Sequence, residues 1–352
     1  MSLKIGVVGC GHIVQHRHLP VFKKIPEADV VAICDLDESI AKQTAETFGI
    51  ANYYLDISDM LEKEELDVVD ICTPPRSHLP LSKQVIEAGC HVLVEKPVAM
   101  NEEDVKVMYD IAEKKGVSIC AVHQNLYNPA VLKAKSLIDK GEVGEIIAVD
   151  VGTYVRRNNY MCVNSEHWCH KLPGGIFFEI LPHPIYLLQM YLNNIHTEEV
   201  VVKQLSDMTW MKGDELRALF NTDTGIGTLA ASCNSPYHGD SMFIFGTKMA
   251  LQVDLWGRSV IKYRERTEEP ISVGKHNINM TAQSLGLLGT TMSNAMIMTF
   301  QGEKVSAHYG FLNAYVNSVL KDRKLPVTKD EAIHNVRIVE EICKKVDEKI
   351  EK

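Results

Sequence analysis

From residue 3 to about 123 the chain alternates short apolar runs with longer amphipathic ones. Lys4–Val8, Val30–Cys34, Val68–Cys72, His91–Val94 and Val117–Val122 predict strands, and Ser39–Phe48, Ser58–Glu64, Leu79–Ala88 and Glu102–Lys115 predict helices between them. Strands that are apolar on both faces need helices over both, so the pattern predicts a doubly wound parallel α/β sheet. Helix starts carry their own signals: Asp37 precedes the second helix, and Asn101 with Glu103 and Asp104 opens a later one.

After residue 124 the texture changes. A helix over Ala130–Lys140 leads through Gly141 and Gly144 into a strand at Ile146–Gly152. Turn-separated β-type segments follow at Val200–Leu205, Leu216–Phe220, Gly225–Cys233, Ser241–Phe245, Ala250–Leu255 and Ser259–Arg264. Asn221–Gly225 reads as a hairpin connection. Helices over Ala307–Lys321 and Lys329–Lys349 close the chain, the last with Ala332, Val336, Val339, Cys343 and Val346 as a core stripe. The expected division is therefore 1–123 for the parallel-sheet domain and 124–352 for an α+β domain on a largely antiparallel open sheet. Glu265–Leu288 is the hardest stretch to read and is expected as a long excursion over the surface. The apolar stretch Leu285–Phe300 contains Thr290, Thr291, Ser293 and Asn294 and falls short of the roughly 20 residues a membrane-spanning helix needs.

A length of 352 residues fits two domains better than one core. The formal charge of −9 excludes a sequence-independent grip on nucleic acid, which needs a basic face. Nine cysteines, most in apolar runs and with no C-x-x-C pair, read as buried free thiols in a reducing compartment. The N-terminus runs straight into a strand, leaving no room for a signal peptide, so a cytoplasmic protein that does not engage membranes is expected.

The first strand ends in Gly6-Val7-Val8-Gly9-Cys10-Gly11-His12-Ile13-Val14. In the dinucleotide-binding fingerprint Gly9 makes the tight turn, Gly11 admits the pyrophosphate, and the helix opening at His12 and Ile13 offers its N–H groups to the phosphates. Val14 stands where the third glycine belongs, which predicts a slightly displaced helix without loss of binding. Asp35 ends the second strand 21 residues beyond Val14, placed to accept bonds from the adenosine ribose hydroxyls. A carboxylate there repels a 2′-phosphate and no arginine follows it, so NAD is expected in preference to NADP. Lys96, in Glu95-Lys96-Pro97, follows a buried strand, at the sheet end where open α/β folds place their chemistry.

With these features the chain resembles the glucose–fructose oxidoreductase, inositol dehydrogenase and rhizopine-catabolism (Gfo/Idh/MocA) family. The matches run in order along nearly the whole chain. They are Gly9-Cys10-Gly11, Cys34-Asp35, Thr73-Pro74-Pro75-Arg76-Ser77-His78, Ala88 to Pro97, Asn128-Pro129, Gly141 to Ile146, Gly174-Gly175 with Glu179 and His183, and Phe245-Gly246-Thr247. The resemblance implies an N-terminal Rossmann domain whose cofactor side includes Thr73, Pro74, His78, Glu95 and Lys96. It also implies a C-terminal domain whose open sheet builds a homodimer or homotetramer, a lysine that contacts the reacting hydroxyl, and a following peptide bond that is commonly cis. His183 takes the place of the proton-transfer histidine. Glu179 stands where the family carries aspartate, and Leu126 where it often carries arginine.

Oxidation of a secondary alcohol needs a hydride acceptor and a base, and NAD supplies only the first. His183, with an ordinary pKa near ~6.5, suits the second role. Glu179, four residues earlier, would share a helix face with it, and Gly174-Gly175 would let that helix begin close to the cofactor. Lys96 would stabilise the developing alkoxide. Tyr154, Arg156, Arg157 and Trp168 are candidate substrate contacts, the arginines for a carboxylate or phosphate and the tryptophan for a sugar face. His167 and His170 with His183 and Glu179 raise a metal reading, but this chemistry needs none and none is expected. The resulting expectation is an NAD-dependent oxidoreductase acting on the secondary alcohol or ketone of a sugar, cyclitol or sugar derivative. A non-catalytic NAD(H)-sensing regulator of the same fold and a reductase of a non-sugar carbonyl or imine stay open as alternatives.

Overall fold

A computed structural model describes residues 2–264, 268–301 and 306–350, with side chains for all of these except 294–301. Two compact units form, Met1–Gln124 with Ser306–Glu340, and Asn125–Val305 with Glu341–Lys352.

The first unit is a six-stranded parallel sheet of β1 (Leu3–Val8), β2 (Ala28–Cys34), β3 (Asn52–Tyr54), β4 (Val68–Ile71), β5 (His91–Val94) and β6 (Ile119–Ala121), in the order β3-β2-β1-β4-β5-β6. Its connections carry α1 (Leu19–Phe22), α2 (Glu38–Phe48), α3 (Ile57–Lys63), α4 (His78–Glu87) and α5 (Glu102–Lys115). The core is the apolar runs read from the sequence: Ile5, Val7, Val68, Val69, Val92 and Leu93 are all fully buried. β3 was not anticipated, because Asn52-Tyr53-Tyr54 is a three-residue edge strand with no apolar run. The N-caps act as expected: Asp37 accepts from Ser39 N–H (2.9 Å) and Ile40 N–H (3.2 Å), and Asn101 from Asp104 N–H (2.8 Å). Strand order reverses at β1, where Val8 registers with both Cys34 and Ile71. Such a switch point opens the crevice in which doubly wound sheets bind ligands.

The second unit holds a seven-stranded sheet of β7 (Ile146–Arg156), β8 (His196–Lys203), β9 (Glu215–Asn221), β10 (Ile226–Ser235), β11 (Gly239–Gly246), β12 (Met249–Asp254) and β13 (Ser259–Arg264), in the order β13-β12-β11-β7-β10-β9-β8. Only the β7–β10 pair is parallel. The hairpin between β9 and β10 is held by Thr222, whose hydroxyl donates to Gly225 O (2.7 Å) and accepts from Gly225 N–H (3.0 Å). α6 (Pro129–Asp139) precedes the sheet; α7 (Tyr160–Val163), α8 (Ile176–Ile180) and α9 (Pro182–Gln189) follow β7. Alternation along β7 buries Val149, Val151, Thr153 and Val155, and α9 packs on this strand. The other face is open, a shallow concavity of about 510 Å³ lined by Asp150, Arg217, Leu219, Thr228, Ser241 and Phe243.

The expected excursion Glu265–Leu288 is corrected. Glu265–Thr267 lie outside the described residues, and from Pro270 the chain forms α10 (Pro270–Gln301). Gln283 accepts from Lys262 N–H (2.7 Å) and donates to Lys262 O (2.9 Å), satisfying the edge of β13 as a neighbouring strand would. The helix was hard to read because Ile271, Ile278, Leu285 and Met292 are exposed, and Gly274, Gly286 and Gly289 weaken helical propensity. The chain closes with α11 (Ala307–Leu320) and α12 (Lys329–Ile350). The expected 124–352 domain changes accordingly: α11 buries Phe311, Leu312, Tyr315 and Val316 and packs on α1, so Ser306–Glu340 groups with the first unit. Among the described residues no helix is long and apolar enough to cross a membrane, and all nine cysteines are free.

Candidate active site

The glycine loop leaves β1 at Gly9, whose N–H donates to Cys34 O at 2.8 Å. Gly9 has φ 89°, and a Cβ there would stand 2.9 Å from Cys72 O and from Thr73 Cγ2, so only glycine fits. At Gly11 an added Cβ would meet nothing within 4 Å. That open side is where the fingerprint receives a pyrophosphate, so the loop fits a dinucleotide. The helix opening at His12 passes through a π-helical turn, Val14–His18, into α1.

Asp35 is half-buried beside this loop. Its Oδ2 accepts from Cys10 N–H (2.7 Å) and its Oδ1 from Asp37 N–H (3.0 Å). Each oxygen retains a lone pair for a ribose hydroxyl. The sequence suggested the ribose role but not this second one, in which Asp35 holds the glycine loop in shape. Thr73 is half-buried and Pro74 exposed at the end of β4, and Ser77 Oγ lies 2.7 Å from Thr73 Oγ1 and donates to Pro74 O (2.8 Å).

His78 and Glu95, both expected on the cofactor side, are buried. His78 is fully buried, with Nε2 2.7 Å from Thr73 O and Nδ1 3.0 Å from Pro97 O. It ties two loops together and presents no surface to a ligand. Burial lowers its pKa, against the opposing effect of these carbonyls. Glu95 is 6 % exposed; its Oε1 lies 2.9 Å from His18 Nε2, and its Oε2 accepts from Lys96 N–H at 3.0 Å. Burial alone would raise the Glu95 pKa, but the bond to His18, the His18 charge and Lys96 outweigh it and bring it down to about 2. A depressed carboxylate stabilises the fold above its unfolded pKa of roughly 4.3 and loses that contribution as pH falls toward its folded value. Lys96 itself is half-buried, and its bond to Pro97 is cis.

In the second unit the single helix expected for Glu179 and His183 is two. α8 ends at Ile180 and α9 starts at Pro182, because a proline lacks the N–H that would continue the ladder. Both side chains are half-buried. His183 Nδ1 is hydrogen-bonded to Tyr186 Oη at 2.9 Å, and Asn125 N–H donates to the same hydroxyl at 3.2 Å. Tyr186 was missed in the sequence, although its position three residues after His183 on an apolar helix was a usable signal. Gly174 and Gly175 have φ 65° and 62°, and at Gly174 the small residue also admits α12: a Cβ there would lie 2.6 Å from Cys343 Sγ.

The candidate substrate residues separate. Tyr154 stands on the open sheet face, its ring 5.9 Å from Tyr237. Arg156 and Arg157 line a different concavity of about 510 Å³ with Trp210, and Arg157 pairs with Asp207. Trp168 opens a 3-10 turn next to His167. His167 Nδ1 accepts from Cys169 N–H (3.3 Å), and His170 Nε2 donates to Met161 O (2.8 Å), so both histidines serve local structure.

A family model described as an oxidoreductase family with an NAD-binding Rossmann fold matches residues 3–123, and one described as a GFO/IDH/MocA C-terminal domain matches 131–252. Oxidoreductase P35 of Formosa agariphila is 27 % identical over 194 residues, 54 % of this chain and 60 % of that protein. A dTDP-3,4-didehydro-2,6-dideoxy-alpha-D-glucose 3-reductase of Streptomyces violaceoruber is 28 % identical over 193 residues, 55 % of each chain. The chain thus spans little more than half the length of these relatives. The WlbA dehydrogenase from Bordetella pertussis, solved in complex with NADH and UDP-GlcNAcA, superposes with a TM-score of 0.79 at 20 % identity, over 99 % of this chain and 96 % of that one. A likeness at that identity concerns the fold.

Proposed function

The chain belongs to the Gfo/Idh/MocA family of oxidoreductases, and from that premise we propose that it is an NAD-dependent dehydrogenase or reductase acting on a secondary alcohol or ketone of a sugar, cyclitol or sugar derivative. The observation that carries this reading is the glycine loop, open at Gly11 and bonded through Cys10 to the carboxylate of Asp35. On this reading Gly9, Gly11, His12 and Ile13 take the pyrophosphate, Asp35 the adenosine ribose, and Thr73 and Pro74 flank the cofactor. When bound, NAD supplies the hydride acceptor or donor.

The remaining chemistry falls to the chain's own side chains. We assign the hydroxyl proton to His183, whose ring is oriented by Tyr186, and alkoxide stabilisation to the Lys96 ammonium. Glu179 is the acidic companion four residues ahead of His183. Arg156, Arg157 and Trp168 are the candidate substrate contacts; the place of Tyr154 on the open sheet face suits self-association better. That face is our candidate for a homodimer or homotetramer, and a cytoplasmic location fits nine free thiols. The sugar substrates named for the relatives support the substrate class.

Absorbance at 340 nm, followed with NAD or NADH against polyols, sugar acids, nucleotide sugars and simple carbonyl compounds, tests the reading. Lys96→Ala and His183→Ala should each lower turnover ~10²-fold or more while leaving NAD affinity nearly intact. Normal turnover in both variants removes this active site. Tight NADH binding with no turnover on any panel favours a nicotinamide-sensing regulator.

A further inference from the structure

Behind the loop that carries Lys96, the first unit buries a group of ionisable side chains that the proposed reaction leaves unused. His18 is fully buried between two carboxylates, with Nδ1 2.6 Å from Asp70 Oδ2 and Nε2 2.9 Å from Glu95 Oε1. Carboxylates on both sides accept from each ring nitrogen and supply the charge to hold both hydrogens, so His18 is an imidazolium. Burial opposes that charge, yet Asp70 raises the His18 pKa well above its ordinary value. A 2.6 Å spacing is that of a charge-assisted hydrogen bond; two ligands of one tetrahedral metal ion would stand roughly 3.3 Å apart. Cys72, beside them, donates to Asp70 Oδ1 at 3.4 Å.

The chain of bonds is continuous: Asp70 in β4, His18 at the end of the π-helical turn, the Glu95 carboxylate, then the backbone N–H of Lys96. The helix that supplies His18 is the one that opens at the glycine loop. Two carboxylates and one imidazolium leave a single negative charge, and Lys96 is the cation that offsets it at Glu95. Other titratable groups face the cluster. His308 of α11 and His123 after β6 are held down to about 3 by burial and stay neutral. Cys72 is pushed up and stays a thiol, His78 is lowered, and Arg17 acts on His308 from the helix end.

We propose that His18 and Asp70 are positioning residues for Lys96: by clamping Glu95 from behind, they keep its carboxylate ionised against the Lys96 loop and so keep Lys96 in place as a cation. The proposal rests on the role assigned to Lys96 above. In His18→Gln, buried Glu95 loses its counter-charge and takes up a proton near neutrality. The full chain should then lose ~10-fold or more in kcat with NADH affinity within ~2-fold, and should gain a new acid limb in the pH profile of kcat. His18→Gln combined with Asp70→Asn removes one charge of each sign and should recover most of the lost kcat. A readout independent of substrate is acylation of Lys96 by acetic anhydride, quantified by mass spectrometry across pH; its midpoint should fall by about one unit in His18→Gln.

If His18→Gln melts earlier but keeps the wild-type pH profile and Lys96 acylation curve, the clamp is merely structural and the proposal is overturned. A shifted acylation midpoint in a protein that turns over no substrate keeps the clamp and rejects the dehydrogenase reading. Should His18→Gln fail to fold, Asp70→Asn alone, which keeps an acceptor for Nδ1–H, serves instead. It should let His18 lose its proton at lower pH and bring forward the basic decline of kcat; an unmoved basic limb overturns the proposal.

Discussion

The Asp35 carboxylate holds the glycine loop through Oδ2 and, by our reading, takes the adenosine ribose. In NADP the same carboxylate would face a phosphate, with Leu36 exposed beside it and no cation at Asp37. NAD should therefore be preferred by at least ~100-fold in kcat/KM, about 2.7 kcal/mol. Asp35→Ser should shrink that preference mainly by weakening NAD. It should also cost about 1–3 kcal/mol of stability, because Cys10 N–H loses a charged acceptor. Steady-state kinetics with both cofactors and urea unfolding measure the two effects separately. Equal use of NAD and NADP by the unmodified protein would show that Asp35 does not sit at the ribose. At this scale the sequence was legible where neighbouring residues define the geometry, as at the tight turn of Gly9, which the positive φ there requires. It was illegible at His18, whose partners lie 52 and 77 positions away.

Elements are placed by a few contacts that helical and strand periods do not encode. The turn before α8 is set by Gly174, whose N–H donates to both oxygens of Asp347 (3.1 Å each), while Lys212 Nζ donates to the same carboxylate at 2.7 Å. Gly174→Ala adds a Cβ at positive φ, against Cys343. Strain of roughly 1–2 kcal/mol from the left-handed backbone, with the overlap added, predicts a loss of about 2–4 kcal/mol in urea unfolding. A loss of only about 1–2 kcal/mol would mean that α12 moves aside and that the backbone strain alone remains. The glycine pair was visible in the sequence, but its reason was not, because Cys343 approaches from an element 169 residues later. α10 illustrates the converse: a seven-residue apolar spacing is present, yet its side chains stay exposed, so burial and period disagree.

For the whole molecule, the open face of the seven-stranded sheet leaves Val201 and Leu219 48 % and 44 % exposed, beside Phe243. Exposed apolar area on one face of a sheet marks an association surface, and with a net charge of −9 the attraction has to be short-ranged. Light scattering should give a dimer or tetramer mass for the unmodified chain. Leu219→Glu, which sets a buried charge against its counterpart across a two-fold interface, should lower that mass to the monomer. A monomeric unmodified protein, or an unchanged mass in Leu219→Glu, would place the interface elsewhere or remove it.

By itself the sequence determined what depends on contiguous residues: the apolar runs that became β1, β2, β4 and β5, the caps at Asp37 and Asn101, the hairpin at Thr222, and the glycine turn at Gly9. Period, capping and turn chemistry act over a few residues, so they can be read before the chain is folded. Tertiary structure alone decided the rest. It grouped Ser306–Glu340 with the first unit, turned Gln283 against the edge of β13, set Tyr186 on His183, and enclosed His18 between Asp70 and Glu95. Each of these is a partnership between groups that must shed water to meet, and strand order and burial choose the partner, not spacing along the chain.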